Sequence, residues 1–219
     1  GATRPKETSN GSGATRPDYK PTKVASLTYF HFEDDGLLKS LVQNAQVNLQ
    51  HCVDSYDKSV MLKDDFNPIG NNATKLLKPN KEVFLSQLKE LVADGFAVDI
   101  YIFAHGSETS IAMANGKSLT VDELKSELSK EKTGFAQLPI RMVYQMNCYG
   151  STLNQTWIGL GAKVACGAKY VNFYPNQFNS FAVDWEKGNI GFSSAVNLSN
   201  TASSRTVMQS LIEVDAAAR

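Results

Sequence analysis

The chain has 219 residues, 42% of them hydrophobic, a size and composition that suit one α/β domain with a full core. Lys plus Arg and Asp plus Glu each number 22, so the net charge is zero, and no basic patch interleaved with aromatics occurs; both argue against a nucleic-acid partner. No apolar run approaches the roughly 20 residues that cross a bilayer, and three cysteines, at 52, 148 and 166, make a poor disulfide framework and lack zinc-site spacing.

The chain starts at Gly1 without Met, which reads as a fragment, a processed form or a tagged chain. Residues 1–22 are rich in Gly, Ser, Thr, Asn, Pro and Lys, and Gly-Ala-Thr-Arg-Pro recurs at 1–5 and 13–17. They are expected to form a disordered or tag-like tail, leaving 23–219 as the folded domain. Residues 24–32 read as the first strand. Glu33-Asp34-Asp35-Gly36 comes next as a loop, with Asp35 a candidate N-cap for a helix over 37–52, where Leu38, Leu41, Val42, Ala45 and Leu49 recur at helical spacing. Residues 58–62 read as a short second strand. Asn-Pro, Gly-Asn-Asn and Pro-Asn steps mark 63–80 as a long loop. Asn80 is placed to cap a helix over 81–93, with Val83, Phe84, Leu88, Leu91 and Val92 on its buried face and Gly95 ending it.

Residues 97–104 form the next strand, and 109–120 a hairpin turning at Asn115-Gly116, a type I′ signal. Thr120-Val-Asp-Glu123 is a capping box that opens a helix running to about Lys130. A strand begins at Ile140, just after Pro139, and a helix over 151–160 closes at Gly161. A strand over 163–166 is expected to break at Gly167. Two helices come after it, over 176–186 and 192–198, with a third over 203–214. Strands and helices alternate throughout, which predicts a three-layer α/β/α sandwich with a mostly parallel central sheet.

Two strands end on residues that carry chemistry. One reads Ile102-Phe103-Ala104-His105-Gly106, the other Val143-Tyr144-Gln145-Met146-Asn147-Cys148-Tyr149-Gly150. In open α/β sheets, ligands and catalytic groups collect at the C-terminal ends of the strands. If these two strands are parallel neighbours, a thiol and an imidazole share that end, as a cysteine nucleophile and its base require. A free cysteine is most often a small buried hydrophobe. His105, with Gly106 directly after it, moves the balance toward catalysis. His31 and His51 read as structural or solvated, and Cys52 and Cys166 as packing residues.

These residues resemble the caspase-like cysteine peptidases, the group of caspases, metacaspases, clostripain, gingipains, separase and CHAT-type peptidases. An apolar strand ending in His105-Gly106 is similar to the histidine half of the group's signature, and Asn147-Cys148-Tyr149-Gly150 to the cysteine half. The order agrees, with 148 − 105 = 43 positions between the pair. Residues 157–164, Trp-Ile-Gly-Leu-Gly-Ala-Lys-Val, are similar to the helix, Gly-Ala step and strand beyond the cysteine in CHAT-type members, and 181–196 to their closing segment. The resemblance spans roughly residues 23–205.

The resemblance implies a caspase-like fold and an endopeptidase working by a Cys148–His105 dyad, with the backbone N–H groups of Gly106 and Cys148 as oxyanion donors. It implies a peptide or protein substrate and neither cofactor nor metal. Where caspases carry Gln and metacaspases Asp as a substrate selector, this chain has Met146. Glu33, Asp34 and Asp35 are then the acidic candidates for the substrate pocket, with a preference for Lys or Arg, while Met146 points to an apolar alternative. A different class of function is a catalytically silent binding or regulatory module on the same fold; the intact pair speaks against it.

Overall fold

The computed structural model describes residues 23–31, 39–64, 74–170, 176–186, 190–201 and 209–214. In chain order the elements are β1 (Lys23–Phe30), α1 (Lys39–Val53), β2 (Lys58–Leu62), β3 (Thr74–Leu77), α2 (Lys81–Ala93), β4 (Phe96–Phe103), β5 (Ser110–Ala112), β6 (Ser118–Thr120), α3 (Val121–Glu127), α4 (Lys130–Thr133), β7 (Ile140–Gln145), α5 (Asn154–Leu160), β8 (Val164–Ala168), α6 (Asn176–Glu186), α7 (Phe192–Thr201) and β9 (Gln209–Glu213). A short 3-10 turn, Gly150–Leu153, precedes α5.

Seven strands form one sheet in the order β3-β2-β1-β4-β7-β8-β9. Every neighbouring pair is parallel except β8 with β9. Near-continuous apolar runs such as Phe96–Phe103 suit such strands, because helices cover both faces of the sheet. Alternate side chains divide the core in two. One face packs Leu27, Ile100, Ile102 and Val143 against Phe84, Leu88, Leu91 and Val92 of α2, Leu124 of α3 and Trp157 of α5. The other packs Phe30, Phe103, Met142 and Tyr144 against Val42, Ala45 and Leu49 of α1, Phe178 and Phe181 of α6 and Phe192 of α7. The second half is aromatic-rich, with ring centroids of Tyr144 and Phe181 4.5 Å apart and of Phe103 and Phe178 4.7 Å apart. The architecture is the expected three-layer α/β/α sandwich with a mostly parallel sheet.

Local signals behave as physics predicts. The Asn80 side chain accepts from the backbone N–H groups of Glu82 and Val83, and Gly95 takes φ 85 just past α2. Thr120 and Glu123 form the reciprocal capping box of α3. Asn115 (φ 62) and Gly116 (φ 67) both have positive φ, as a type I′ turn between β5 and β6 demands.

Five expectations need correction. The stretch 63–80 is not all loop: Thr74–Leu77 adds β3 to the sheet, parallel to β2. The buried face of α2 takes in Leu85 and Gln87, with Val83 only partly buried against the core. The capping-box helix ends at Glu127, and Lys130–Thr133 forms a separate short helix. Of the expected third C-terminal helix, Gln209–Glu213 is a strand, β9, antiparallel to β8, with Leu211 and Ile212 packed on opposite core halves, while 203–208 lie outside the described residues. Gly167 does not break β8. A Cβ there would lie 2.2 Å from Gly150 C and 2.3 Å from Ser151 N, so its glycine serves close backbone approach. Residues 1–22 and 32–38 lie outside the described residues, and with them the tail and the Asp35 cap.

Candidate active site

β4 and β7 are parallel neighbours. Their last paired rung is Ile102 with Gln145, and Met146 N then donates to Ile102 O at 2.8 Å. His105 and Cys148 each lie three residues beyond that rung (105 − 102 and 148 − 145), at the C-terminal end of the sheet. The two segments touch. A Cβ on Gly106 would sit 3.0 Å from Asn147 Cβ, 3.0 Å from Asn147 Nδ2 and 3.1 Å from Cys148 O. Only glycine lets the histidine loop lie this close to the cysteine turn without displacing it.

The histidine loop is held from below by the hairpin. Ala112 N donates to His105 O at 2.9 Å, and Ser107 N to Ser110 O at 2.9 Å. The hairpin is pinned in turn by Ala114 N donating to Tyr29 Oη at 2.8 Å. Thr152 ties loop to turn: its Oγ1 lies 2.6 Å from Glu108 O and 2.9 Å from Tyr149 O, either of which can accept its proton.

The cysteine turn is tightly wound. Gly150 N donates to Asn147 O at 3.0 Å, and Tyr149, directly after Cys148, is left-handed at φ 53 and ψ 23. For a bulky L-residue that conformation is strained by about 1–3 kcal/mol, and such residues cluster at functional sites. Tyr149 N donates to Tyr170 O at 3.1 Å, which helps to hold it. Beneath the turn, buried Gln145 fixes the start of α5. Its Nε2 donates to Asn154 Oδ1 at 2.9 Å and its Oε1 accepts from Trp157 Nε1 at 3.1 Å. The backbone of β8 presses on the same turn through Gly167.

His105 is exposed, and Cys148 is buried with 8% of the residue's surface accessible at the same sheet end. Cys166 is wholly buried, and burial pushes its thiol well up, which makes it a packing residue. Cys52 is buried too. Of the other expected site residues, Gly106 stands half-buried in the contact between the two segments. Met146 is fully buried in the aromatic half of the core, not on the surface. Glu33, Asp34 and Asp35 lie outside the described residues. Among the described residues, no cluster of His, Cys, Asp and Glu could hold a metal ion, and no helix is long and apolar enough to cross a membrane.

The structure gives Asn147, Tyr149, Thr152 and Gln145 positions around the turn that the motif did not assign. A Gln in the middle of an otherwise apolar buried strand was the available signal for the last. The His105 loop and the Cys148 turn meet at one end of the sheet, and a thiol and an imidazole are the groups that acyl transfer would need there. No protein-family model matches this chain, and no curated protein matches it either.

Proposed function

We propose that this protein is a cysteine endopeptidase of the caspase-like type, cutting peptide bonds with Cys148 and His105 through a thioester acyl-enzyme. The observation that carries this is the contact between the His105-Gly106 and Asn147-Cys148 segments, three residues beyond the last rung of adjacent parallel strands. The exposure of His105 at that sheet end supports it.

The steps are set by the groups present. His105 takes the Cys148 proton, and the thiolate attacks the scissile carbonyl carbon to form the C–S bond. The oxyanion is met by the backbone N–H groups of Gly106 and Cys148. As the C–N bond breaks, the imidazolium returns its proton to the leaving amine. Water then attacks the thioester, His105 takes its proton, and the C–S bond breaks to release the acid. Substrate preference falls to Glu33, Asp34 and Asp35. They come just after β1, whose end meets β4 through His31 N donating to Phe103 O at 2.7 Å. Carboxylates there favour Lys or Arg before the cleaved bond, by hydrogen bonds worth about 1.5–3 kcal/mol each.

A peptidyl acyloxymethyl ketone with Arg next to the warhead tests this. The expected result is one label per chain, on Cys148, formed faster than with the matched Leu and Asp probes. Absence of labelling by all three would overturn the peptidase reading and favour a silent binding module. A faster Asp probe would overturn the pocket assignment, and a faster Leu probe would show that the acidic loop is only solvated.

A further inference from the structure

Asn147 stands between the two halves of the site. Its side chain is fully buried, and neither Oδ1 nor Nδ2 has a hydrogen-bond partner among the described residues. It fills the space between two glycines. A Cβ on Gly106 would meet Asn147 Cβ and Nδ2 at 3.0 Å, and a Cβ on Gly150 would meet Oδ1 at 3.2 Å and Nδ2 at 3.3 Å. Gly106 belongs to the histidine loop and Gly150 to the cysteine turn, so the carboxamide is the spacer that sets one against the other.

An apolar side chain of the same size would fill that space at less expense, because a buried amide without partners is unfavourable. The polarity is explained if the amide gains partners in another state of the site. Buried strain and unsatisfied groups of this kind concentrate where a protein is built for its reacting complex. On the facing loop the approach is at Gly106, where an added Cβ would lie 3.0 Å from Asn147 Nδ2 and 3.1 Å from Cys148 O, so small shifts of loop and turn bring backbone groups toward the amide.

We propose that Asn147 is a positioning residue for the Cys148–His105 pair, its carboxamide hydrogen-bonding the loop and turn when substrate occupies the site. This deepens the peptidase reading and rests on it. The residue acts through its neighbours, since its burial keeps it from touching substrate.

The test uses the full chain with Asn147→Leu, close in size but apolar, and Asn147→Ala, which removes the spacer. Three quantities are read: kcat and KM on a peptide substrate, the pH midpoint of Cys148 alkylation by iodoacetamide tracked by mass on its own peptide, and Tm. In Asn147→Leu, kcat should fall by tenfold or more with KM within about twofold, the scale of a misplaced catalytic group. Tm should be unchanged or higher, since a partnerless amide has gone, and the alkylation midpoint should move. Asn147→Ala should lose kcat at least as strongly. A wild-type kcat in Asn147→Leu would overturn the proposal, and so would a kcat loss in both variants that tracks a fall in Tm. If the wild-type chain cleaves no peptide, the peptidase reading fails on its own. The alkylation midpoint then decides the Asn147 role, and an unmoved midpoint would overturn it.

Discussion

At His105 and Cys148 the division of labour sets what each substitution should do. Free cysteine titrates near about 8.5, so a thiol without a base is mostly protonated at neutral pH and reacts slowly. His105→Ala should therefore cut peptide hydrolysis by at least about a hundredfold, the usual scale for losing a general acid–base group. It should also slow Cys148 alkylation by iodoacetamide near pH 7. Equal alkylation rates in wild type and variant would show that the imidazole does not activate the thiol. The placement of the two residues just beyond neighbouring parallel strands was legible in the sequence, because each closely succeeds an apolar run. Asn147 was not legible as a spacer. Its meaning comes from Gly106 and Gly150, which approach it only after the chain has folded. The left-handed Tyr149 was hidden for a similar reason: nothing in a Cys-Tyr-Gly step demands positive φ at the tyrosine, and the turn imposes it.

At the scale of elements, the cysteine turn is placed less by its own sequence than by what lies behind it. β8 carries Gly167 against the backbone of Gly150 and Ser151, and Gln145 anchors α5 through Asn154 and Trp157. Gly167→Ala would set a methyl 2.2 Å from Gly150 C, and backbone cannot give way there as a flexible side chain could. The variant should lose at least about 1–3 kcal/mol of stability by overpacking. The fraction that stays folded should alkylate Cys148 at an altered rate. Wild-type stability in urea titration together with wild-type alkylation would mean that β8 does not brace the turn. Elements with strong local chemistry were legible: the Asn80 cap, the Thr120–Glu123 box and the Asn115-Gly116 turn all act over one to three residues. β3 and β9 were not. Thr74–Leu77 is four residues beside a run of turn formers, and the apolar spacing after residue 203 also fits a helix. Both owe their extended form to edge pairing with β2 and β8, a long-range term. Gly167 misled for the same reason, since its partner in close approach is distant in sequence.

Across the whole molecule, a buried ion pair and the proposed site sit at opposite ends of the sheet. Far from Cys148, Asp99 lies wholly buried within β4, paired with Arg141, whose Nε reaches Oδ1 at 2.8 Å and Nη2 reaches Oδ2 at 2.5 Å. Tyr56 Oη donates to Asp99 Oδ2 at 2.6 Å and lies 2.8 Å from Tyr101 Oη, which accepts from Trp185 Nε1 at 2.9 Å. Burial works against the Arg141 charge, but the Asp99 carboxylate outweighs it and drives the guanidinium pKa up. Arg141→Met would leave the Asp99 carboxylate buried without its cation, which should cost about 3–5 kcal/mol in urea denaturation at pH 7. A loss under about 1 kcal/mol would contradict it.

The surface carboxylates act in a different pH range. Lys117 holds Glu82 below its ordinary range by hydrogen bonding, Lys81 does so for Glu123, and Lys132 and then Lys89 for Glu127. A folded-state pKa below the unfolded one adds stability that is present above the unfolded range, about 4.3 for Glu, and lost as pH falls through the folded value. Tm should therefore drop below about pH 4.5, and by less in high salt, because these pairs are exposed or only half-buried. A Tm that holds or rises on acidification through that window would contradict the assignment. The layer architecture was legible at this scale, because alternation of strand and helix fixes a parallel sheet covered on both faces. The Asp99–Arg141 pairing was not, since 42 positions separate its members in sequence.

The central claim is that Cys148 is the nucleophile, and steady-state hydrolysis of an Arg-containing peptide by wild type and Cys148→Ala tests it most directly, with circular dichroism as the check on folding. The substitution removes one sulfur atom from a small side chain that forms no disulfide, so the fold should persist. The expected result is turnover by the wild type and none by a folded Cys148→Ala. Turnover by the variant at the wild-type rate would contradict the mechanism outright.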